Sequence, residues 1–215
     1  MLPKSTKPIR ILIVDDHPVM CSGLSNMLRT QGGITVVGTA GSGMEALKLV
    51  ASETPDLILL DLRMPGMDGL AVLQALKSLT HSPTVVVLTS YEQDEMVYQA
   101  IKSGAQGYLL KDTSEDELMT AIAAVHAGKR YIPVHISARL AERMMRSDLT
   151  PRELQTLDLL ANGSTNKQIA AALNLSDYTI RHYVNNIMEK LNVSDRTEAV
   201  AMAFRSGLLS NYDRK

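Results

Sequence analysis

A fivefold alternation in the first 125 residues constrains this chain more than any other feature. Short apolar runs recur at 9–14, 34–37, 57–60, 84–88 and 107–110. Each is too short for a helix, rich in Ile, Val or Leu and bounded by polar or turn residues, which predicts a strand. Between the runs, apolar residues fall at helical spacing, as in Met44, Leu47, Val50 and again in Leu70, Leu73, Leu76. Ser114-Glu115-Asp116-Glu117 has the form of a capping box that opens the last of these helices, with Leu118, Ile122 and Val125 on one face. Runs with no polar alternation belong to strands buried on both sides. The expected first domain, 9–127, is therefore α/β: a five-stranded parallel (βα)5 sheet with helices on either face. In such sheets the functional crevice lies at the carboxyl ends of the strands.

The style then changes. Residues 126–148 carry five Lys/Arg against two Asp/Glu, whereas residues 1–125 carry nine against fourteen. Helical spacing is visible over 135–146, but 128–147 reads mainly as a linker. From Leu149 onward four helices and no strands are expected, forming an all-α domain over 148–211. Thr150-Pro151-Arg152-Glu153 supplies an N-cap, a proline at the first helical position and a reciprocal glutamate, with Leu149 and Leu154 as a hydrophobic staple. Thr165-Asn166-Lys167-Gln168 repeats the pattern, Ser176 caps a third helix, and Asp195-Arg196-Thr197-Glu198 opens a fourth. This last part holds eight basic and seven acidic residues, a balance that permits DNA binding without requiring it. No apolar run reaches the length of a membrane span, and residues 1–8 lack the form of a signal peptide. Cys21 is the only cysteine, so no internal disulfide is expected and a reducing compartment suits the chain. It reads as a small buried hydrophobe on a helix.

The strand ends carry the chemistry. Asp15 and Asp16 follow the first run, Asp61 the third, Thr89 the fourth and Lys111 the fifth. Singly, these are ordinary residues: turn formers, a loop acid, a surface lysine. Brought to one crevice they act together. Three crowded carboxylates are most easily reconciled by a divalent cation, and an all-oxygen set with several waters suits Mg²⁺. A carboxylate beside Mg²⁺ and a lysine can attack a phosphoryl group to give an aspartyl phosphate, whose oxygens the Thr89 hydroxyl can meet. A rival motif, Gly41-Ser42-Gly43-Met44-Glu45-Ala46, fits a dinucleotide-binding turn with Asp61 about 20 residues on. It starts at the second strand and leaves Asp15, Asp16 and Lys111 unexplained, so it reads as a tight turn.

In the second domain, 168–173, the turn Asn174-Leu175 and the helix that follows have helix-turn-helix proportions. Ile180, Val184, Ile187 and Leu191 share one face, which leaves Tyr178, His182, Asn185 and Glu189 outward, flanked by Arg181. Arg181 can read guanine and Asn185 adenine, with Thr165 and Lys167 placed to hold phosphates. A bundle with a polar outer face would show the same periodicity.

Asp15-Asp16, the run from Asp61 through Gly69 (Asp-Leu-Arg-Met-Pro-Gly-Met-Asp-Gly), Leu88-Thr89-Ser90 and Gly107-Tyr108-Leu109-Leu110-Lys111-Asp112 resemble the receiver domains of two-component response regulators. The resemblance implies that Asp61 is the phosphoacceptor and that Asp15 or Asp16, Asp61 and the backbone carbonyl of Arg63 hold Mg²⁺. It further implies that Thr89 and Lys111 sense the phosphoryl group, and that the rotamer of Tyr108 reports the active state; the alternative for Tyr108 is a half-buried sheet aromatic. Leu149 to Glu153, Asn166 to Ala170, Thr179-Ile180-Arg181 and Lys190 to Val193 resemble LuxR-type DNA-binding domains, with Tyr183 where histidine is frequent. That resemblance implies a double-stranded DNA surface of Thr165, Asn166, Lys167, Ser176, Tyr178, Thr179, Arg181, His182, Asn185 and Lys190. Together the two halves resemble the NarL/FixJ group: cytoplasmic regulators, not enzymes, phosphorylated by a sensor histidine kinase and forming a homodimer on activation. Val200, Ala201, Phe204 and Leu208 recur at helical spacing and offer a dimer surface, with core packing as the alternative. An aspartate-nucleophile phosphohydrolase is the reading from another class. Such enzymes place a second aspartate two residues after the first, and here that position is Arg63.

Overall fold

The computed structural model describes residues 7–90, 93–145 and 147–209. Most of the segment weighed as a leader peptide, together with Arg146 and the end of the second domain at 210–211, lies outside them. By internal contacts the chain forms two units, one from Met1–Glu92 with Val97–Ser137, the other from Gln93–Met96 with the chain from Ala138 onward.

In the first unit, β1 (Ile9–Val14), β2 (Ile34–Ala40), β3 (Leu57–Leu60), β4 (Thr84–Thr89) and β5 (Gly107–Leu110) form one sheet in the order β2-β1-β3-β4-β5. Every pairing is parallel, as expected. α1 (Pro18–Thr30), α2 (Gly43–Glu53), α3 (Gly69–Leu76), α4 (Asp94–Lys102) and α5 (Glu115–His126) make the connections. Successive side chains of a strand point to opposite faces. Accordingly Ile9, Ile11, Ile13, Leu57, Leu59, Val86, Leu88 and Leu109 share a core with Leu28 of α1 and Leu118, Ile122 and Val125 of α5. Leu12, Val14, Ile58, Leu60 and Val87 are buried as completely from the other side. Cys21 is partly buried, not fully as expected; it packs against the first of these cores and its Sγ donates to the Asp15 carbonyl oxygen. Gly41 and Gly43 make the turn into α2, which Ser42 caps; with five strands and β2 at the edge, nothing here builds a dinucleotide fold.

Two local expectations need correction. Ser114 caps α5 by accepting from the Glu117 amide, but the box is not reciprocal. The Glu117 carboxylate instead accepts from the Thr113 and Tyr131 hydroxyls, which compete for it. Tyr131 also makes an isolated parallel bridge to Gly107, its amide donating to the Gln106 carbonyl at 2.9 Å while its own carbonyl accepts from Tyr108 at 3.0 Å. The supposed linker thus begins by covering the edge of β5. Most of its remainder is helix, α6 (Val134–Met144), with Ile136 and Leu140 buried. Within it Arg143 is buried and pairs with Glu95 at 2.6 Å and with Asp148 at 2.9 Å, whereas Lys129, Arg130 and Arg139 are exposed.

The second unit contains α7 (Pro151–Ala161), α8 (Asn166–Leu173), α9 (Asp177–Leu191) and α10 (Arg196–Ser206). Thr150 with Glu153 and Thr165 with Gln168 both form complete capping boxes, and Ser176 and Asp195 cap α9 and α10. The turn from α8 to α9 is set by Asn174 at φ 55°, left-handed, with the Leu175 amide donating back to Ala170. Short polar Asn tolerates that conformation better than other non-glycine residues. Ile180, Val184, Ile187 and Leu191 are the buried face of α9, as their spacing predicts. On α10, Val200 packs against the domain's own core and Leu208 beyond it does the same, while Ala199 and Ala203 are fully buried. Of the four residues suggested as a dimer surface only Ala201 is exposed. Core packing accounts for part of that spacing, at Val200 and Leu208.

Candidate functional site

The register of the sheet assembles the first site. Val14 pairs with Leu60 and Thr89 with Leu110, so Asp15, Asp61 and Lys111 are each the first residue past a ladder. Thr89 closes β4 and does not follow it. The Asp61 amide donates to the Val14 carbonyl and the Lys111 amide to the Thr89 carbonyl, both at 2.9 Å. Asp15 and Asp61 are 3 % and 4 % exposed, a burial that carboxylates tolerate only when paired. Lys111 Nζ pairs them both, lying 2.7 Å from Asp15 Oδ2 and 2.7 Å from Asp61 Oδ2. Burial alone would lower the affinity of this ammonium for its proton, but the hydrogen bonds and charges of Asp15 and Asp61 prevail and raise its pKa, so it stays charged.

One lysine does not satisfy three acids. One ligand atom from each of Asp15, Asp16, His17 and Asp61 lies within 4.8 Å of the others. Asp16 Oδ1 stands 2.8 Å from His17 Nδ1, yet it is a buried atom that accepts no hydrogen bond in proper geometry. This donor set, with an orphaned carboxylate oxygen, fits a divalent cation. The loop after β3 turns back through the Arg63 amide, which donates to Asp61 Oδ1 at 3.3 Å and so fixes the residue whose carbonyl is the fourth expected ligand. Thr89 is fully buried and its hydroxyl has no hydrogen-bond partner among the described residues. Such a group costs about 1–3 kcal/mol unless something satisfies it. Tyr108 is wholly buried, not half-buried.

Two residues of this region escaped the sequence reading. A side chain on Gly69 would collide with the Asp61 carbonyl oxygen and meet the Leu62 Cα at 2.7 Å, so only glycine lets α3 start against the Asp61 backbone. Asp68, beside it, caps α3 by accepting from the Ala71 amide at 2.8 Å and stays out of the acidic cluster. The other is His17, which the sequence marks only by its place immediately after two aspartates.

The second site lies on α9 and the start of α8. Thr165, Lys167, Ser176, Tyr178, Arg181, His182 and Asn185 are exposed, with Asn166 and Thr179 partly so. Thr165 and Ser176 have their hydroxyls engaged as caps, Ser176 also bonding the Thr179 hydroxyl. Arg181 pairs across one helical turn with Asp177 at 2.7 Å, and His182 contacts Asn186 at 3.3 Å. Lys190 departs from the expected surface. Its Nζ lies 2.7 Å from the buried Glu153 carboxylate and also donates to the Asp148 carbonyl, so it ties α9 to α7.

Known proteins repeat this two-part plan. Residues 11–123 match the family described as response regulator receiver domain, and residues 147–203 match bacterial regulatory proteins of the luxR family. The transcriptional regulatory protein LiaR of Bacillus subtilis is 37 % identical, the match covering 94 % of this chain and all of that one. The response regulator VraR of Staphylococcus saprophyticus is 39 % identical over 94 % of this chain and 99 % of its own. Among solved structures, RcsB of Salmonella enterica serovar Typhimurium, bound to a promoter in the presence of the phosphomimetic BeF3-, superposes with a TM-score of 0.72. It is 26 % identical, over 94 % of this chain and all of that one.

Proposed function

Because this chain belongs to the response regulators that join a receiver domain to a LuxR-type DNA-binding domain, a family of transcription regulators and not of enzymes, we propose that phosphorylation of Asp61 controls how its α8–α9 helix-turn-helix engages DNA. The observation that carries this reading is the pairing of a nearly buried Asp61 with Lys111 at 2.7 Å. An Asp61 oxygen attacks the phosphorus of a phosphohistidine on a sensor kinase. The P–O bond forms as the P–N bond breaks, and the imidazole keeps the electron pair and takes a proton from solvent. Lys111 neutralises charge on the transferred group. Mg²⁺ held by Asp15, Asp16, Asp61 and the Arg63 carbonyl would supply the remaining positive charge. Thr89 then turns its unsatisfied hydroxyl to the phosphoryl oxygens, and Tyr108 repacks beside it, biasing a two-state element. The kinase has a place to dock: an apolar groove of about 510 Å³ along α1, lined by Val19, Met20, Leu24 and Met27, opens beside Lys111.

Arg181, His182, Asn185 and Tyr178 face the major groove, while Thr165, Asn166 and Lys167 meet phosphates. Two copies on paired half-sites compensate for the low net charge of each, so activation acts through a homodimer. Among the described residues no helix is long and apolar enough to cross a membrane, and DNA binding puts the protein in the cytoplasm. The test is labelling with a small acyl phosphate and Mg²⁺. We expect one hydroxylamine-labile phosphoryl group per chain, none in Asp61→Asn and undiminished labelling in Asp68→Asn, with tighter operator binding only where label is present. Full labelling of Asp61→Asn overturns the assignment.

A further inference from the structure

We propose that His17 is a ligand in the acidic pocket, and that through its imidazole the pocket favours a late first-row divalent ion, such as Co²⁺, Ni²⁺ or Zn²⁺, over Mg²⁺ beyond what carboxylates alone would give. This rests on reading Asp15, Asp16 and Asp61 as a cation site. His17 occupies the N-cap of α1, where a side chain ordinarily accepts from the first turn, yet its ring makes no capping bond. The ring instead folds back over the acids, with Nδ1 3.1 Å from Asp15 Oδ1 and 2.8 Å from Asp16 Oδ1. Its backbone is held in the same place, the His17 amide donating to Asp15 Oδ1 at 2.9 Å.

Three observations make this a ligand's posture. The His17 nitrogen belongs to the same four-atom cluster, no wider than 4.8 Å, as the three carboxylates. The acid oxygen nearest to it, Asp16 Oδ1, is buried with its hydrogen-bonding capacity unused. The side chain is 69 % exposed, so Nε2–H can stay hydrated while Nδ1 turns inward. Mg²⁺ gains little from such a donor, because it selects oxygen and keeps its waters. Imidazole nitrogen suits the later first-row ions, whose affinities already rise along the series toward copper.

Co²⁺ and Mg²⁺ binding to the full chain, each titrated directly and in competition, decides the matter. In His17→Ala the Co²⁺ affinity should fall about tenfold or more while Mg²⁺ affinity stays within about twofold, since loss of even a supporting partner costs about 10- to 100-fold in metal affinity. The Co²⁺-loaded protein should also show a paramagnetically shifted imidazole N–H proton that disappears in the variant. His17 is largely exposed and caps nothing, so folding is not at stake. Equal changes for both ions, no change for either, or a shifted proton that survives His17→Ala overturns the role of His17. Asp16→Asn reports separately on the pocket: it should weaken both ions, and unchanged binding of both would overturn the cation site itself.

Discussion

Asp15, Asp61, Thr89 and Lys111 arrive from four strand ends and are almost wholly enclosed, whereas Tyr178, Arg181, His182 and Asn185 come from one helix and stand in solvent. The pocket exists only because the ladders Val14–Leu60 and Thr89–Leu110 are in register, so its chemistry and the stability of the sheet cannot be separated. The outward face of α9 requires nothing but a helix, and Ile180, Val184, Ile187 and Leu191 secure that helix from behind. Binding specificity can therefore change without disturbing the fold. The acidic pocket has no such freedom.

The comparison breaks most readily at Lys111. Lys111→Met leaves Asp15 and Asp61 buried without their cation, and stability at neutral pH should drop by about 3 kcal/mol, the scale for removing one partner of a buried pair. Saturating Mg²⁺ should return part of it by binding the folded state alone. Denaturant unfolding with and without Mg²⁺ checks this; a loss under about 0.5 kcal/mol would mean the pocket is no more demanding than a surface.

A smaller effect is expected at Glu153, a buried charge of the second domain. Burial raises its pKa, but Lys190 and the Thr150 amide and hydroxyl outweigh burial and hold it below the usual glutamate range. A carboxylate depressed in the folded state stabilises above its unfolded pKa, about 4.3, and that contribution fades as pH falls through the lower, folded value. Glu153→Ala should cost about 2 kcal/mol by losing both the cap and the charged hydrogen bond. Glu153→Gln, which keeps the cap, should cost less and flatten the acid limb of the stability curve. An acid limb as steep as that of the unaltered protein would place the coupling elsewhere.

The smallest stability effect belongs to Arg181→Ala, within about 0.5 kcal/mol because the residue is exposed and its bond to Asp177 is a surface pair. Discrimination at one or two base positions should nevertheless fall by roughly 1–3 kcal/mol. Thermal melts beside binding to single-base operator variants sharpen the contrast. A folding defect matching the binding defect would erase it.

Much of this was readable beforehand, for a physical reason. Parallel strands buried on both faces write themselves as unbroken apolar runs, and β1, β3 and β5 end where the runs end. Thr89 was placed one residue too far because a polar residue can still close a ladder, and β2 runs on to Ala40 through Gly38 and Thr39, where hydrophobicity lapses. What stayed hidden was pairing across long separations. Arg143 meets Glu95 48 residues away, where it is buried, and Lys190 meets Glu153 37 residues away, where it is engaged within its own domain. The role of Gly69 was equally invisible, since a glycine required by close approach resembles one that merely permits a turn.

The occupation of Lys190 has a consequence for how the protein lives in a changing cell. DNA binding is driven largely by release of ions condensed on phosphates, and each phosphate neutralised contributes a slope of about −0.9 to log affinity against log salt concentration. An ammonium already matched by Glu153 inside its own domain displaces none of those ions. Of the three cationic side chains proposed for the DNA face, Arg181 is assigned to a base and only Lys167 to a phosphate, so their share of the slope is roughly −0.9 per copy. On that proposed reading each copy holds DNA modestly, and its grip falls only about in proportion to the salt concentration around it.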